Sequence, residues 1–153
     1  MRIVATLLFS VFAVPAMAQI SPPDGSQPLS QILAGIEAEG ARTIYSAEFE
    51  TRRWEVVSCP GRSRICQEDR IDPTTGAVTA TDRDTVMFLP PRGSLPASQI
   101  AAQVEALALG TITELTFDDR RWEVEVRSGL RSAEFKIDPT TGAVQRCEGT
   151  LCP

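Results

Sequence analysis

The chain has 153 residues, with 15 basic against 20 acidic side chains and no histidine. That balance argues against nucleic acid or an anionic membrane as a main partner, since both need a broad basic face. The four cysteines, Cys59, Cys66, Cys147 and Cys152, form no C-x-x-C. Thioredoxin-type redox chemistry, c-type haem attachment and a Cys/His zinc site therefore each lack a required residue.

Met1-Arg2 opens the chain with positive charge, and Ile3 to Val14 is apolar apart from Thr6 and Ser10. Pro15-Ala16-Met17-Ala18 then presents the small residues that signal peptidase reads. The pattern predicts a signal peptide over 1–18, cut after Ala18, and a periplasmic or secreted mature chain. The apolar run is shorter than the roughly 20 residues of a spanning helix, so no membrane insertion of the mature chain is expected. An even cysteine count in an oxidising compartment reads as two disulfides, with three possible pairings.

Residues 19–28 are polar and Pro-rich and are expected to form a flexible lead-in. From residue 29 onward the chain is one unit written twice. Arg52-Arg53-Trp54-Glu55-Val56 returns as Arg120-Arg121-Trp122-Glu123-Val124, and the eight residues Ile71 to Val78 return unchanged as Ile137 to Val144. The first repeat is assigned to 29–80, a linker to 81–96, and the second repeat with a C-terminal disulfide tail to 97–153.

Each repeat opens with a helix. Ser30 is expected to cap the first, with Ile32, Leu33 and Ile36 on its apolar face and Gly40 ending it. Ser98 is expected to cap the second, with Ile100, Val104 and Leu107 in the stripe and Gly110 as the stop. Period-2 segments come next. Tyr45, Ala47 and Phe49 share one face, as do Thr113, Leu115 and Phe117. Trp122, Val124 and Val126 alternate with Glu123 and Glu125. A third strand, Ser132 to Ile137, buries Ala133, Phe135 and Ile137, where the first copy has the polar Gln67 and Asp69.

The repeated IDPTTGAV has the chemistry of a turn. Asp accepts backbone N–H bonds, Pro presets φ, and Gly supplies the left-handed position of a bulged hairpin. The fold class is therefore α+β: two tandem repeats, each with one helix on an antiparallel sheet of three to four strands.

The copies differ most between the second and third strands, where the first is two residues longer. Cys59 and Cys66 fall at the two ends of that hairpin loop, and Cys147 and Cys152 bracket the tail. Proximity favours pairing them Cys59–Cys66 and Cys147–Cys152. Between the repeats, Val86 to Pro91 is apolar. A connector packed between the copies is favoured over an exposed partner-binding segment.

The helix followed by antiparallel hairpins resembles the PepSY domain. The carrying residues are Ser30-Gln31-Ile32 and Ser98-Gln99-Ile100, Gly40 and Gly110, the Trp-Glu-Val strands at Trp54 and Trp122, and the closing Ile-Asp-x-x-Thr-Gly-x-Val at Ile71 and Ile137. The resemblance implies a non-enzymatic role, with peptidase inhibition or regulation proposed for parts of that family. Any inhibition is expected to act in trans, on a separate peptidase.

No residue set points to catalysis, a cofactor or a metal. Asp72 and Asp138 lack the ladder of a calcium loop. Glu123 and Glu125 read as a solvated strand face, and Lys136 is the chain's one lysine, with no G-x-S-x-G around any serine. Trp54 and Trp122 read as core. The candidate partner contacts are Arg52, Arg53, Arg62, Arg64, Arg120 and Arg121, expected to gather with Arg127 and Arg131 at the hairpin tips; the plainer reading is solvated arginines paired with nearby carboxylates. The expected function is a non-catalytic module that binds or regulates another envelope or secreted protein, such as a peptidase. The alternatives are a structural or assembly accessory of an envelope complex, and a small-ligand binder using the groove between repeats.

Overall fold

The structure, a computed structural model, describes residues 21–153. The expected signal segment lies outside them. Among the described residues ten elements run in chain order: α1 (Leu29–Ala38), β1 (Arg42–Glu50), β2 (Arg53–Pro60), β3 (Ile65–Ile71), β4 (Val78–Thr85), α2 (Ala97–Glu105), β5 (Thr111–Asp118), β6 (Arg121–Ser128), β7 (Arg131–Ile137) and β8 (Val144–Gly149). Each repeat is one helix and a four-stranded antiparallel meander.

The two meanders do not form separate sheets. They join edge to edge into one eight-stranded antiparallel sheet, β4-β3-β2-β1-β5-β6-β7-β8. The sheet is thus twice as wide as each repeat's own three or four strands. The seam is short: Ser46 faces Thr116, Ala47 faces Leu115 and Glu48 faces Glu114. Alone, β1 and β5 would each leave a bare backbone edge open to pairing. Each edge satisfies the other, and Ala47 and Leu115 are fully buried at the join.

Both helices lie on one face of this sheet. Leu29, Ile32, Leu33 and Ile36 are buried on α1, and Ala97, Ile100, Ala101 and Val104 on α2, the spacing of a single helical stripe. Leu107 is not in the stripe; it is half exposed because α2 has already ended. Large and small residues change places between copies: Leu33 and Ala47 in the first, Ala101 and Leu115 in the second, all at 0% exposure. Trp54 and Trp122 anchor the two halves of the core, each edge-on to a phenylalanine (Phe49 or Phe117) at 5.4 Å.

Ser30 and Ser98 are not N-caps. Pro28 and Pro96 hold that position, and neither helix has a side-chain cap of its own. Each serine sits one residue inside its helix and reaches across to the other. The Ser30 N–H and hydroxyl donate to the Glu105 carboxylate at 3.1 and 2.5 Å. The Ser98 N–H donates to Glu37 at 3.3 Å and its hydroxyl donates to the same carboxylate. The helices therefore run antiparallel, and the carboxylate from each C-terminal end serves the other's orphan N–H groups and positive dipole end.

Gly110 is not a helix stop either. In α2 the left-handed position falls on Ala108, at φ 53°. At Gly110 a Cβ would run into the Arg127 carbonyl, so glycine is there for close strand approach. Gly40, by contrast, has the left-handed φ of 76° expected of it.

The IDPTTGAV segments are turns of one design. Asp72 Oδ1 accepts from the Thr74 and Thr75 N–H groups and the Thr75 hydroxyl, and Asp138 repeats this with Thr140 and Thr141. Those bonds, led by the one from the second threonine's N–H, hold both carboxyls below the usual aspartate range. Each turn also accepts a bond from the residue ahead of its own helix: Gln27 N–H to Pro73 O and Leu95 N–H to Pro139 O, both 2.8 Å. The turn thereby fixes where the helix begins.

That contact brings residues 22–28 into the fold. The segment expected as a mobile lead-in folds back on itself through Ser26, whose N–H and hydroxyl both donate to Pro23 O. The stretch expected as linker is also partly structured, since β4 runs on to Thr85.

Candidate functional site

The two repeats generate two matched clefts. The first, about 360 Å³, lies between residues 22–29, Trp54, Glu105 and Gly110 to Ile112. The second, about 510 Å³, lies between residues 90–97, Trp122, Glu37, Ala41 to Ile44, and Arg62. Their walls correspond because Pro22-Pro23, Gly25-Ser26 and Pro28 recur as Pro90-Pro91, Gly93-Ser94 and Pro96. In each, a buried tryptophan forms part of the wall, and neither indole N–H has a hydrogen-bond partner among the described residues.

The clefts differ in charge. The first has two carboxylates, Asp24 and Glu105, and no base. The second has Arg42, Arg62 and Arg92 against the single Glu37, which is already held by Ser98. Arg92 stands where the first cleft has Asp24, and Arg42 where it has Gly110. Arg42 is fixed to β2, donating at 2.9 Å to both the Ser58 hydroxyl and the Ser58 carbonyl. Arg62 belongs to the stapled loop and donates to Pro90 O.

Beside this basic cleft, and sharing Pro91 with it, is an apolar notch of about 440 Å³ formed by Phe88, Leu89, Phe117, Asp119 and Arg120. Phe88 bridges Tyr45 and Phe117 edge-on, at 6.4 and 6.3 Å, so the connector packs between the repeats. Packing and exposure coexist in it: Val86, Leu89 and Pro90 are buried, while Met87 is 81% exposed. Tyr45, expected on the helix face with Ala47, instead sits at a bulge between Ile44 and Ser46, and Ile44 takes the core position.

The six candidate arginines do not gather in one place. Arg52 and Arg53 lie at the β1–β2 tip. Arg62, Arg64, Arg120 and Arg121 lie at the opposite end of the sheet, beside the connector. Four are committed: Arg53 to Glu55 and Arg121 to Asp119 at 2.8 Å, Arg62 to Pro90 O, and Arg64 to Met87 O at 3.1 Å. Arg52 and Arg120 are exposed at φ 68° and 66°, the second central residue of a tight two-residue hairpin. Glycine or asparagine suits that conformation better, so each tip carries arginine at a cost in backbone strain.

Both disulfides join the neighbours expected, Cys59 to Cys66 and Cys147 to Cys152. The first closes the 60–65 loop that straps the connector. Its sulfurs sit in a second small core with Val57, Val86 and Leu89, on the side of the sheet away from the helices. Disulfides fit an extracellular or envelope location. No helix among the described residues is long and apolar enough to cross a membrane.

The uncovered face of the sheet carries a different feature. Strand register lines up Glu55, Glu48, Glu114, Glu125, Glu134 and Glu148, one from each of six adjacent strands. Four have basic partners: Arg53 and Arg70 for Glu55, Arg127 for Glu125, Lys136 for Glu134, and Arg146 for Glu148. Glu48 and Glu114, facing each other across the seam, have no ion pair among the described residues. Partial burial raises both carboxyl pKa values, and their acidic neighbours push them the same way. Glu123, on the same face, is tied to Lys136 at 3.1 Å.

The family model PepSY, "Peptidase propeptide and YPEB domain", matches residues 94–148. The second repeat is a PepSY domain. That span starts at Ser94, within the connector, and ends on β8. The first repeat shares the PepSY layout through the chain's internal repetition. No curated protein matches the chain. A solved structure from Clostridium difficile 630, described as a "putative lipoprotein", is similar over 87% of this chain and 99% of its own, with 14% identity and a TM-score of 0.48.

Proposed function

We propose that this chain is a non-catalytic, extracytoplasmic binding module that contacts and regulates another protein of the envelope, with a peptidase as the first class to test. The observation that carries this reading is where the two copies part company. Tryptophans, turns and helix clamps repeat, whereas the stapled loop, the basic cleft and the exposed Met87-Phe88 are confined to one end. A patch of exposed apolar side chains ringed by arginine is the composition of a protein contact. The PepSY match on the second repeat, with its peptidase-propeptide description, supports the choice of a peptidase.

The test is site-specific photocrosslinking in the native envelope, with the probe at Met87 and, as a control, at Leu130, which is exposed on the opposite end. A defined protein captured from Met87 alone, then reconstituted from purified components, is the expected result. Equal or absent capture from both positions overturns the reading. A peptidase partner should lose activity on titration with the disulfide-intact chain.

A further inference from the structure

We infer that the basic cleft and the adjoining apolar notch form one peptide-binding site, selective for a carboxylate next to a large apolar side chain. This rests on the binding-module reading above and specifies what the partner presents. The two concavities share Pro91, so an extended segment lying across that residue reaches both. On one side, Arg42, Arg62 and Arg92 converge with Trp122 and the α2 start. On the other, Phe88, Leu89 and Phe117 offer an apolar seat with Arg120 at its rim.

The chemistry selects against other occupants. Three guanidinium groups around one cleft repel a cationic segment and match a carboxylate with two-pronged geometry. Two of the three are held in place before any ligand arrives, Arg42 by Ser58 and Arg62 by Pro90 O, so little ordering is needed on binding. Arg92 is exposed, with no partner among the described residues. The protein supplies its own control, since the first cleft has corresponding walls, a tryptophan at the same place, Asp24 where Arg92 stands, and no base.

The carboxylate could be an acidic side chain or a free chain terminus, and the probes separate the two. Three fluorescein-labelled hexapeptides, each with one phenylalanine, are titrated onto the full disulfide-intact chain. The first carries two glutamates and a C-terminal amide, the second glutamines and a free terminus, and the third glutamines and an amide. Binding is followed by anisotropy and by the two indole N–H resonances in ¹⁵N-correlated spectra. At least one carboxylate peptide should bind about tenfold or more tightly than the neutral one, moving the Trp122 indole signal and leaving that of Trp54 in place.

Arg92→Asp, which installs the residue that the other cleft already tolerates, should abolish that preference, and Phe88→Ala should weaken both carboxylate peptides. Arg52→Asp, at the far end, should change neither. Equal binding of all three peptides, binding of none, or a shift of Trp54 in place of Trp122 overturns the site. Should the peptides fail while crosslinking from Met87 still captures a partner, the binding-module reading stands and this site is removed from it.

Discussion

The two repeats share a plan and solve its core differently. In the second, β7 presents Ala133, Phe135 and Ile137 to the helices, all at 2% exposure or less. In the first, the matching positions on β3 are Gln67, Asp69 and Ile71. Asp69 is 3% exposed, and its carboxylate is satisfied by the Thr81 hydroxyl at 2.6 Å and the Gln67 amide at 2.8 Å. One copy spends that space on apolar burial and the other on a closed polar trio. The disulfides divide the same way. Cys147–Cys152 packs against the main core with Leu151, whereas Cys59–Cys66 belongs to the small second core beneath the connector. The first repeat has thus given up helix-side packing and gained a structured loop end, and that end is where the basic cleft stands.

Exchanging the two solutions should produce the largest effect. Phe135→Asp removes a buried ring and leaves a carboxylate with neither a glutamine nor a threonine partner, because Ala133 and Cys147 flank it. A loss of about 4 kcal/mol or more is expected, enough to unfold much of the population. Asp69→Ala should cost less, about 1–3 kcal/mol, from leaving Gln67 and Thr81 unpaired. Denaturant melts of both variants check the order. A smaller loss for Phe135→Asp would mean that the two cores are interchangeable after all.

Next in size is the stapled loop. Replacing Cys59 and Cys66 with alanine should destabilise by about 2–3 kcal/mol. Because Arg62 and Arg64 hang from that loop and hold the connector, the same variant should also loosen residues 86–91, read as faster amide exchange at Val86. Replacing Cys147 and Cys152 should leave that exchange unchanged, whatever it does to stability.

A smaller effect belongs to the feature the repeats share most closely. Ser98→Ala removes a hydroxyl donor to Glu37, and Ser30→Ala one to Glu105; each should cost about 1 kcal/mol. The Ser98→Ala and Glu37→Gln changes should be strongly non-additive, whereas Ser98→Ala with Ser30→Ala should add. A double-mutant cycle by thermal melting separates these outcomes. Additivity of Ser98→Ala with Glu37→Gln would mean the clamp carries no energy.

These features were unequally legible in the sequence. The IDPTTGAV turns, the tryptophan cores and the local disulfides depend on neighbours in the chain, and their residue types state their roles. The single sheet does not, because it rests on pairing between β1 and β5, residues far apart in sequence. Opposed Glu48 and Glu114 even argue against that pairing. The helix clamps had a visible signal in Ser30 with Glu37 and Ser98 with Glu105. A capping box has its acid three residues after the serine; here the acid is seven residues on, beyond any cap of the same helix, and so points to a neighbour. The twin clefts were also announced, by Pro-Pro-x-Gly-Ser-x-Pro ahead of each helix, which reads as low-complexity lead-in until the two copies are aligned. The charge contrast between them becomes visible only when the fold brings Arg42, Arg62 and Arg92 together.

The smallest predicted effect tests the seam that makes two repeats one sheet. Glu48 and Glu114 hold protons more tightly folded than unfolded, so the stability they contribute is fully present below the ordinary glutamate range. It is lost as pH rises through their raised pKa values. Asp72 and Asp138 act with the opposite sign: their contribution is present above the ordinary aspartate range and is lost as pH falls through their depressed values. Replacing both Glu48 and Glu114 with glutamine should therefore stabilise the protein at neutral pH, by roughly 0.5–1 kcal/mol, the scale of directly opposed like charges. The gain should vanish at acid pH, where the glutamates are themselves neutral. Glu134→Gln, on the same ladder but paired with Lys136, should bring no gain at neutral pH. Melting temperatures of the three proteins across a pH series decide the matter. If the seam double variant is no more stable than the parent at neutral pH, opposed charge is not what limits the join between the repeats.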